Sequence, residues 1–148
     1  MKKTSILTHS EEETFQIAGK LAKNLKGDEI LLLTGELGAG KTVFTKGLCF
    51  GLGLKTNNQV CSPSYTLVNV YDAKFQIFHI DLYRLVSRAD IEDLGWEDYI
   101  GEGIIIVEWG EKMEIKFDCI RVRIEVLAGN KRKIFIEDPF NGPHYKGA

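Results

Sequence analysis

At 148 residues the chain is long enough to bury a core of its own and too short for a second full domain, so one domain spanning residues 1–148 is expected. A hydrophobic fraction of 44%, a charged fraction of 27% and a formal net charge of −2 belong to an ordinary globular protein; they exclude a broad electrostatic footprint for nucleic acid, and tight RNA binding by this chain alone is not expected. No apolar stretch approaches bilayer length, no signal-peptide apolar region follows Met1-Lys2-Lys3, and Cys49, Cys61 and Cys119 form no Cys-x-x-Cys pair, so the expectation is a cytoplasmic protein with no membrane segment, disulfide partner or zinc site.

In chain order, Ser10 precedes Glu11-Glu12-Glu13 and then Phe15, Ala18, Leu21, Ala22 and Leu25 at helical spacing. Ser10 with Glu13 reads as a capping box, and Gly27-Asp28 as the stop of that helix. Glu29 to Thr34 is short and apolar, which predicts a buried strand, and Lys41 to about Leu52 predicts a helix. Between them lies Gly35-Glu36-Leu37-Gly38-Ala39-Gly40-Lys41-Thr42, which has the pattern and the strand-to-helix context of a nucleoside-triphosphate phosphate loop. A chain of this length matches that pattern by accident roughly once in two hundred, which makes this the strongest signal in the sequence. In such a loop the glycines turn backbone N–H groups onto the phosphates and the helix start adds partial positive charge. Gly35, Leu37, Gly38, Ala39, Gly40, Lys41, Thr42 and Val43 are therefore the expected nucleotide cradle. Lys41 reaches the β- and γ-phosphates, and the Thr42 hydroxyl offers an oxygen to magnesium.

Tyr65 to Tyr71 and Phe75 to Ile80 predict a hairpin around Asp72-Ala73-Lys74, Ser87 caps a short helix to Leu94, and Gly103 to Val107 predicts a buried central strand. Ile120, Val122, Ile124 and Val126 alternate with Arg121, Arg123 and Glu125, predicting a half-buried strand that Ala128-Gly129-Asn130 turns antiparallel into Lys133 to Glu137; residues 139–148 read as loop or frayed tail. The sum is an α/β fold of the phosphate-loop NTPase type: three layers, with a mixed sheet of parallel core and antiparallel hairpins flanked by helices.

Phosphoryl transfer also needs a further metal contact and a group that orients the attacking water. Asp81 and Glu108 each end an apolar run, where an open α/β sheet forms its ligand crevice. Taken singly, either carboxylate could instead cap a turn. His79 reads as a packed or half-exposed strand residue with no catalytic role. Ser62-Pro63-Ser64-Tyr65-Thr66 stands where many such proteins carry a segment ordered by the γ-phosphate, Trp96 and Trp109 read as either core or contact surface, core being the commoner place for an aromatic, and residues 8–12 with the basic turn 130–133 are candidates for the base pocket.

The phosphate loop, Ser62-Pro63-Ser64-Tyr65-Thr66-Leu67-Val68-Asn69, His79-Ile80-Asp81-Leu82-Tyr83-Arg84-Leu85 and Val107-Glu108-Trp109, in this order, resemble the bacterial TsaE (YjeE) family from about residue 10 to 127. Glu36 and Ser64 depart from the commoner Asp and Thr but keep charge and hydroxyl. The resemblance implies an ATPase that binds ATP or ADP with Mg2+ and is required for N6-threonylcarbamoyladenosine at position 37 of tRNAs reading codons that begin with adenine. It implies action with the TsaD–TsaB pair, contact with tRNA only through that complex, and slow turnover that the partners stimulate. It further implies that Lys41 holds phosphates, that Thr42 and Glu108 bind magnesium, that Asp81 positions water or the metal shell, and that Trp109 contacts partner or substrate. A GTPase is disfavoured because Asn130-Lys131-Arg132-Lys133 lacks the guanine-pairing aspartate, and Asp98-Tyr99-Ile100-Gly101 reads as a turn. A small-molecule kinase and a nucleotide-gated binding module are the alternative classes; a kinase would need several arginines, of which only Arg84 and Arg88 lie near the expected crevice.

Overall fold

The computed structural model describes residues 2–55, 60, 63 and 67–140. Cys61, the hydroxyl-bearing residues of the Ser62 to Thr66 segment and the tail beyond Phe140 lie outside the described residues. The elements run β1 (Lys2–Thr8), α1 (Glu11–Ala22), β2 (Ile30–Thr34), α2 (Lys41–Gly51), β3 (Val68–Asp72), β4 (Gln76–Asp81), α3 (Arg88–Glu92), a 3₁₀ turn (Trp96–Tyr99), β5 (Ile104–Glu108), a second 3₁₀ turn (Gly110–Lys112), β6 (Ile120–Val126) and β7 (Arg132–Asp138).

The seven strands form one sheet in the order β1-β7-β6-β2-β5-β4-β3. β2 is parallel to β5 and β6, and β4 is parallel to β5, while β7, β1 and β3 join by antiparallel pairing. This is the mixed α/β sheet expected. The central strands are apolar on both faces because both are covered. Leu31, Leu33, Ile104 and Ile106 belong to the core beneath α1 and α2, and Ile30, Leu32, Ile105 and Val107 belong to a second core with Ile91, Trp96 and Met113. Trp96 is thus a core residue, and the 98–101 segment is the end of a 3₁₀ turn.

The structure corrects the sequence expectations at three points. β1 was not expected: its apolar signal is weak, and its partner is β7 at the other end of the chain, with Ile6 opposite Ile134. The first helix ends at Ala22, five residues before Gly27, because Glu29 draws the following chain into a turn by accepting the N–H groups of Lys26, Gly27 and Asp28. Ser10 caps α1 by accepting from Glu13 N, yet the Glu13 carboxylate takes the N–H of His9 instead of that of Ser10, so the box is displaced by one residue. Cys49 and Cys119 are free and buried, and burial pushes the Cys49 thiol up to about 12.

Helices α1 and α2 pack closely because small residues meet. A Cβ on Gly47 would stand 2.3 Å from the Phe15 carbonyl oxygen, whereas one on Gly19 would meet only the Gly47 carbonyl, at 3.7 Å. Gly47→Ala is therefore expected to lose roughly 1–3 kcal/mol to overpacking despite a helix-propensity gain of up to about 1 kcal/mol, and Gly19→Ala to be neutral or stabilising by up to about that gain. Urea denaturation of both variants measures this, and equal effects at the two sites would contradict the packing argument.

Candidate active site

Parallel pairing carries the site. β2, β5 and β4 run side by side with Leu33 opposite Glu108 and Glu108 opposite Asp81, so the chain leaves β2 into the phosphate loop beside two strand-end carboxylates. In a strand every second side chain shares a face. Asp81 and His79 therefore lie on the same face as Ile77, and Glu108 on the same face as Ile106, which is the side of α2.

The loop has the backbone that anion binding requires. Gly38 and Gly40 have φ of +80° and +112°, and a Cβ there would meet nothing within 4 Å, so these glycines serve backbone conformation and close approach from outside. Gly35 is needed for a different reason: its Cβ would lie 2.6 Å from the Ile124 carbonyl oxygen. Helix α2 opens on Gly40 with no side-chain cap and no acidic residue in its first turn, and the bond from Phe44 N to the Gly40 carbonyl leaves the amides of Lys41, Thr42 and Val43 without intrahelical acceptors. Helix α1, with its serine cap and three first-turn glutamates, is closed in the way α2 is open.

Lys41 is 5% exposed. Its ammonium donates to the carbonyls of Gly35 at 2.6 Å and Glu36 at 2.9 Å, and lies 4.1 Å from the centre of the Trp109 ring. Burial holds its pKa below the ordinary lysine value, and the nearby charges of Glu108, Glu111, Asp81 and Glu36 oppose that shift. The Thr42 hydroxyl donates to Glu108 Oε1 at 2.9 Å. Adjacent ligands of an octahedral ion with bonds of about 2.1 Å are about 3 Å apart, so this pair of oxygens has the spacing and the chemistry that suit magnesium. Asp81 Oδ1 accepts the N–H of Tyr83, so this carboxylate both closes a turn and faces the cleft.

Leu37, Gly38, Gly40, Lys41, Thr42 and Val43 line one side of a cleft of about 420 Å3; Asp81, Tyr83, Glu108 and Trp109 line the other, and Glu11 completes it. The expected residues are thus brought together with two exceptions. Ala39 is fully buried, and neither it nor Gly35 lines the cleft; both shape the loop from behind. Neither Arg84 nor Arg88 lines it, and Arg88 pairs with Glu114. A small recess of about 30 Å3 joins Ser10, Glu11 and Thr14 to Asn130 and Arg132 beside Gly38 and Gly40, where the base pocket was sought.

Two contacts do not show in the sequence, although the basic turn that carries one of them is among the base-pocket candidates. His79 is the packed strand residue expected, fully buried, but its Nε2 lies 2.5 Å from Glu108 Oε2; the signal available for that contact was its spacing two residues before Asp81 on one strand. Arg132 donates from Nε to the Ala39 carbonyl at 3.0 Å and from a terminal nitrogen to the Gly38 carbonyl at 3.5 Å, a contact spanning more than ninety positions that no local pattern announces. Trp109 holds φ +61°, unusual for a bulky residue, and this bend sets its indole over Lys41.

A sequence model described as threonylcarbamoyl adenosine biosynthesis protein TsaE matches residues 8–134. A TsaE protein of Aquifex aeolicus is 44% identical over 132 residues, which cover 88% of this chain and 93% of that relative. One from Bacillus subtilis is 38% identical over 128 residues, covering 85% and 78%. The crystal structure of Bacillus subtilis YdiB superposes with a TM-score of 0.77 at 32% identity, covering 91% of this chain and 84% of that one.

Arg132 ties the Gly38 and Ala39 carbonyls of the loop to the start of β7. Arg132→Ala is expected to release the loop by about 1 kcal/mol, raising amide hydrogen exchange at 38–40 by roughly five- to tenfold. Exchange unchanged there would show that the loop holds itself.

Proposed function

The chain belongs to the TsaE family of threonylcarbamoyl adenosine biosynthesis proteins, and from that premise we propose that it is a magnesium-dependent ATPase. In this reading it serves N6-threonylcarbamoyladenosine formation at position 37 of tRNAs that read codons beginning with adenine. It acts in the cytoplasm with the TsaD–TsaB pair and meets tRNA only through that complex. The observation that carries the proposal is the convergence of an uncapped helix start, a buried ammonium and two strand-end carboxylates on one cleft.

Each group has a task suited to its place. The free amides at the start of α2 and the Lys41 ammonium bind the phosphates, the ammonium exchanging neutral carbonyl partners for charged oxygens. Thr42 and Glu108 would hold a magnesium ion, which would supply positive charge beside the phosphate oxygens. Asp81, fixed at the end of β4 by its bond from the Tyr83 amide, orients the attacking water. Trp109 and Tyr83, with rings 5.1 Å apart, wall the cleft and limit water at the Lys41 end.

A small-molecule kinase is less well supported, because among the described residues no arginine lines the cleft to hold a phosphoryl group in transfer. Slow turnover by the isolated chain and stimulation by the TsaD–TsaB pair are expected. Lys41→Ala, Asp81→Ala and Glu108→Ala are each expected to remove stimulated hydrolysis by about a hundredfold or more, the scale of losing one charge-stabilising group. ADP release measured with and without the pair tests this. Turnover that ignores the pair, or that needs a small acceptor, would restore the kinase reading. Negligible hydrolysis with nucleotide-dependent docking would make the chain a binding module.

A further inference from the structure

Glu108 is 3% exposed, and a carboxylate so buried needs a hydrogen bond at each oxygen. Oε1 has the Thr42 hydroxyl, and Oε2 has His79. Beyond His79 the polar path continues away from the cleft: Nδ1 lies 3.1 Å from the Tyr71 hydroxyl, and Asn69 Nδ2 lies 3.4 Å from the same oxygen. Strand geometry explains why these groups meet. Asn69 and Tyr71 on β3 alternate onto the face that also carries His79, and β4 lies between β3 and β5 with His79 opposite Asn69 and Ile106. His79 therefore reaches Glu108 diagonally, two positions along the neighbouring strand.

One tautomer satisfies every member. Nε2–H donates to Glu108, so Nδ1 accepts from the Tyr71 hydroxyl, whose oxygen accepts from Asn69. The ring is held in plane and in register by β4 packing and carries no solvent exposure.

We propose that His79 is a positioning residue for the metal site: oriented by Tyr71, it holds the Glu108 carboxylate so that Oε1 stays beside the Thr42 hydroxyl where the cation binds. This rests on the reading of Thr42 and Glu108 as magnesium ligands. It extends that reading to two residues that do not line the cleft. Removal of a group that orients a metal ligand typically costs 10- to 100-fold in metal affinity. His79→Leu deletes the donor, His79→Gln keeps an amide donor near the Nε2 position, and Tyr71→Phe removes only the hydroxyl that fixes the ring.

The test is nucleotide binding by the purified protein, using ADP titrated at a series of magnesium concentrations and again in EDTA. His79→Leu is expected to need about 10- to 100-fold more magnesium for half-maximal enhancement of ADP binding, with metal-free ADP affinity unchanged. His79→Gln should recover much of that loss, and Tyr71→Phe should show a smaller shift of the same sign. Nitrogen-15 spectra of the histidine rings, assigned by the signal lost in His79→Gln, should show the Nε2–H tautomer in nucleotide-free protein. Equal losses with and without magnesium would make the role merely structural and overturn the proposal. So would Gln no better than Leu, or an Nδ1–H ring. If the Leu variant fails to fold, the Gln and Tyr71→Phe variants decide, an unchanged magnesium requirement in Tyr71→Phe together with an Nδ1–H ring overturning it. Wild-type ADP binding indifferent to magnesium would instead sink the metal-site reading beneath it.

Discussion

Three charged side chains buried together at the ends of the parallel strands constrain everything else in this molecule. Lys41, Asp81 and Glu108 are each 5% exposed or less, in a fold whose central strands are apolar on both faces. A buried charge costs several kcal/mol unless opposite charge and hydrogen bonds compensate it. The parallel register provides that compensation by ending β4 and β5 at the same height, with α2 starting beside them, so the ammonium, the hydroxyl and both carboxylates share one small volume. Moving one strand by a single residue would turn a carboxylate to the other face, into the second apolar core. Register, helix start and site chemistry are thus one constraint.

Much of this was legible because it is local or periodic. The phosphate loop announces itself through glycines whose positive φ only glycine adopts freely, and β2, β5 and β6 through apolar runs or alternation. The ends of two apolar runs located Asp81 and Glu108 at the crevice, and the family resemblance implied their roles. What stayed hidden depends on distant partners. β1 has little apolar character of its own and is specified by the β7 edge it completes. The basic turn 130–133 reads as a base-pocket candidate, but the Arg132 bond to the Ala39 carbonyl appears only in the fold. His79 shows a subtler failure: β4 is buried on both faces from Ile77 onward, so burial pattern no longer reports which face a side chain takes, and only its period with Asp81 does.

Support for the loop comes from opposite ends of the sequence. Arg132, at the start of β7, holds the carbonyls of Gly38 and Ala39, and the Ile124 carbonyl fits against Gly35. On the far side Lys112 donates to the carbonyls of Leu82, Tyr83 and Leu85, binding the turn after Asp81 to the turn after Glu108. The C-terminal hairpin, unremarkable as sequence, is therefore part of the site's frame.

Trp109 shows how strain enters such a frame. A bulky residue in the left-handed region costs of order 1–3 kcal/mol. Here the bend follows Glu108 directly and leads into Gly110, where a Cβ would stand 2.8 Å from that of Leu32, so the turn is pressed close against β2. The same bend lays the indole over Lys41. The direct partners of this ammonium, two carbonyls and a ring, are all neutral, whereas its carboxylate neighbours act through their field. Lys41 is thus held in place by two backbone carbonyls and the Trp109 ring, and the strained backbone at Trp109 is what sets that ring there.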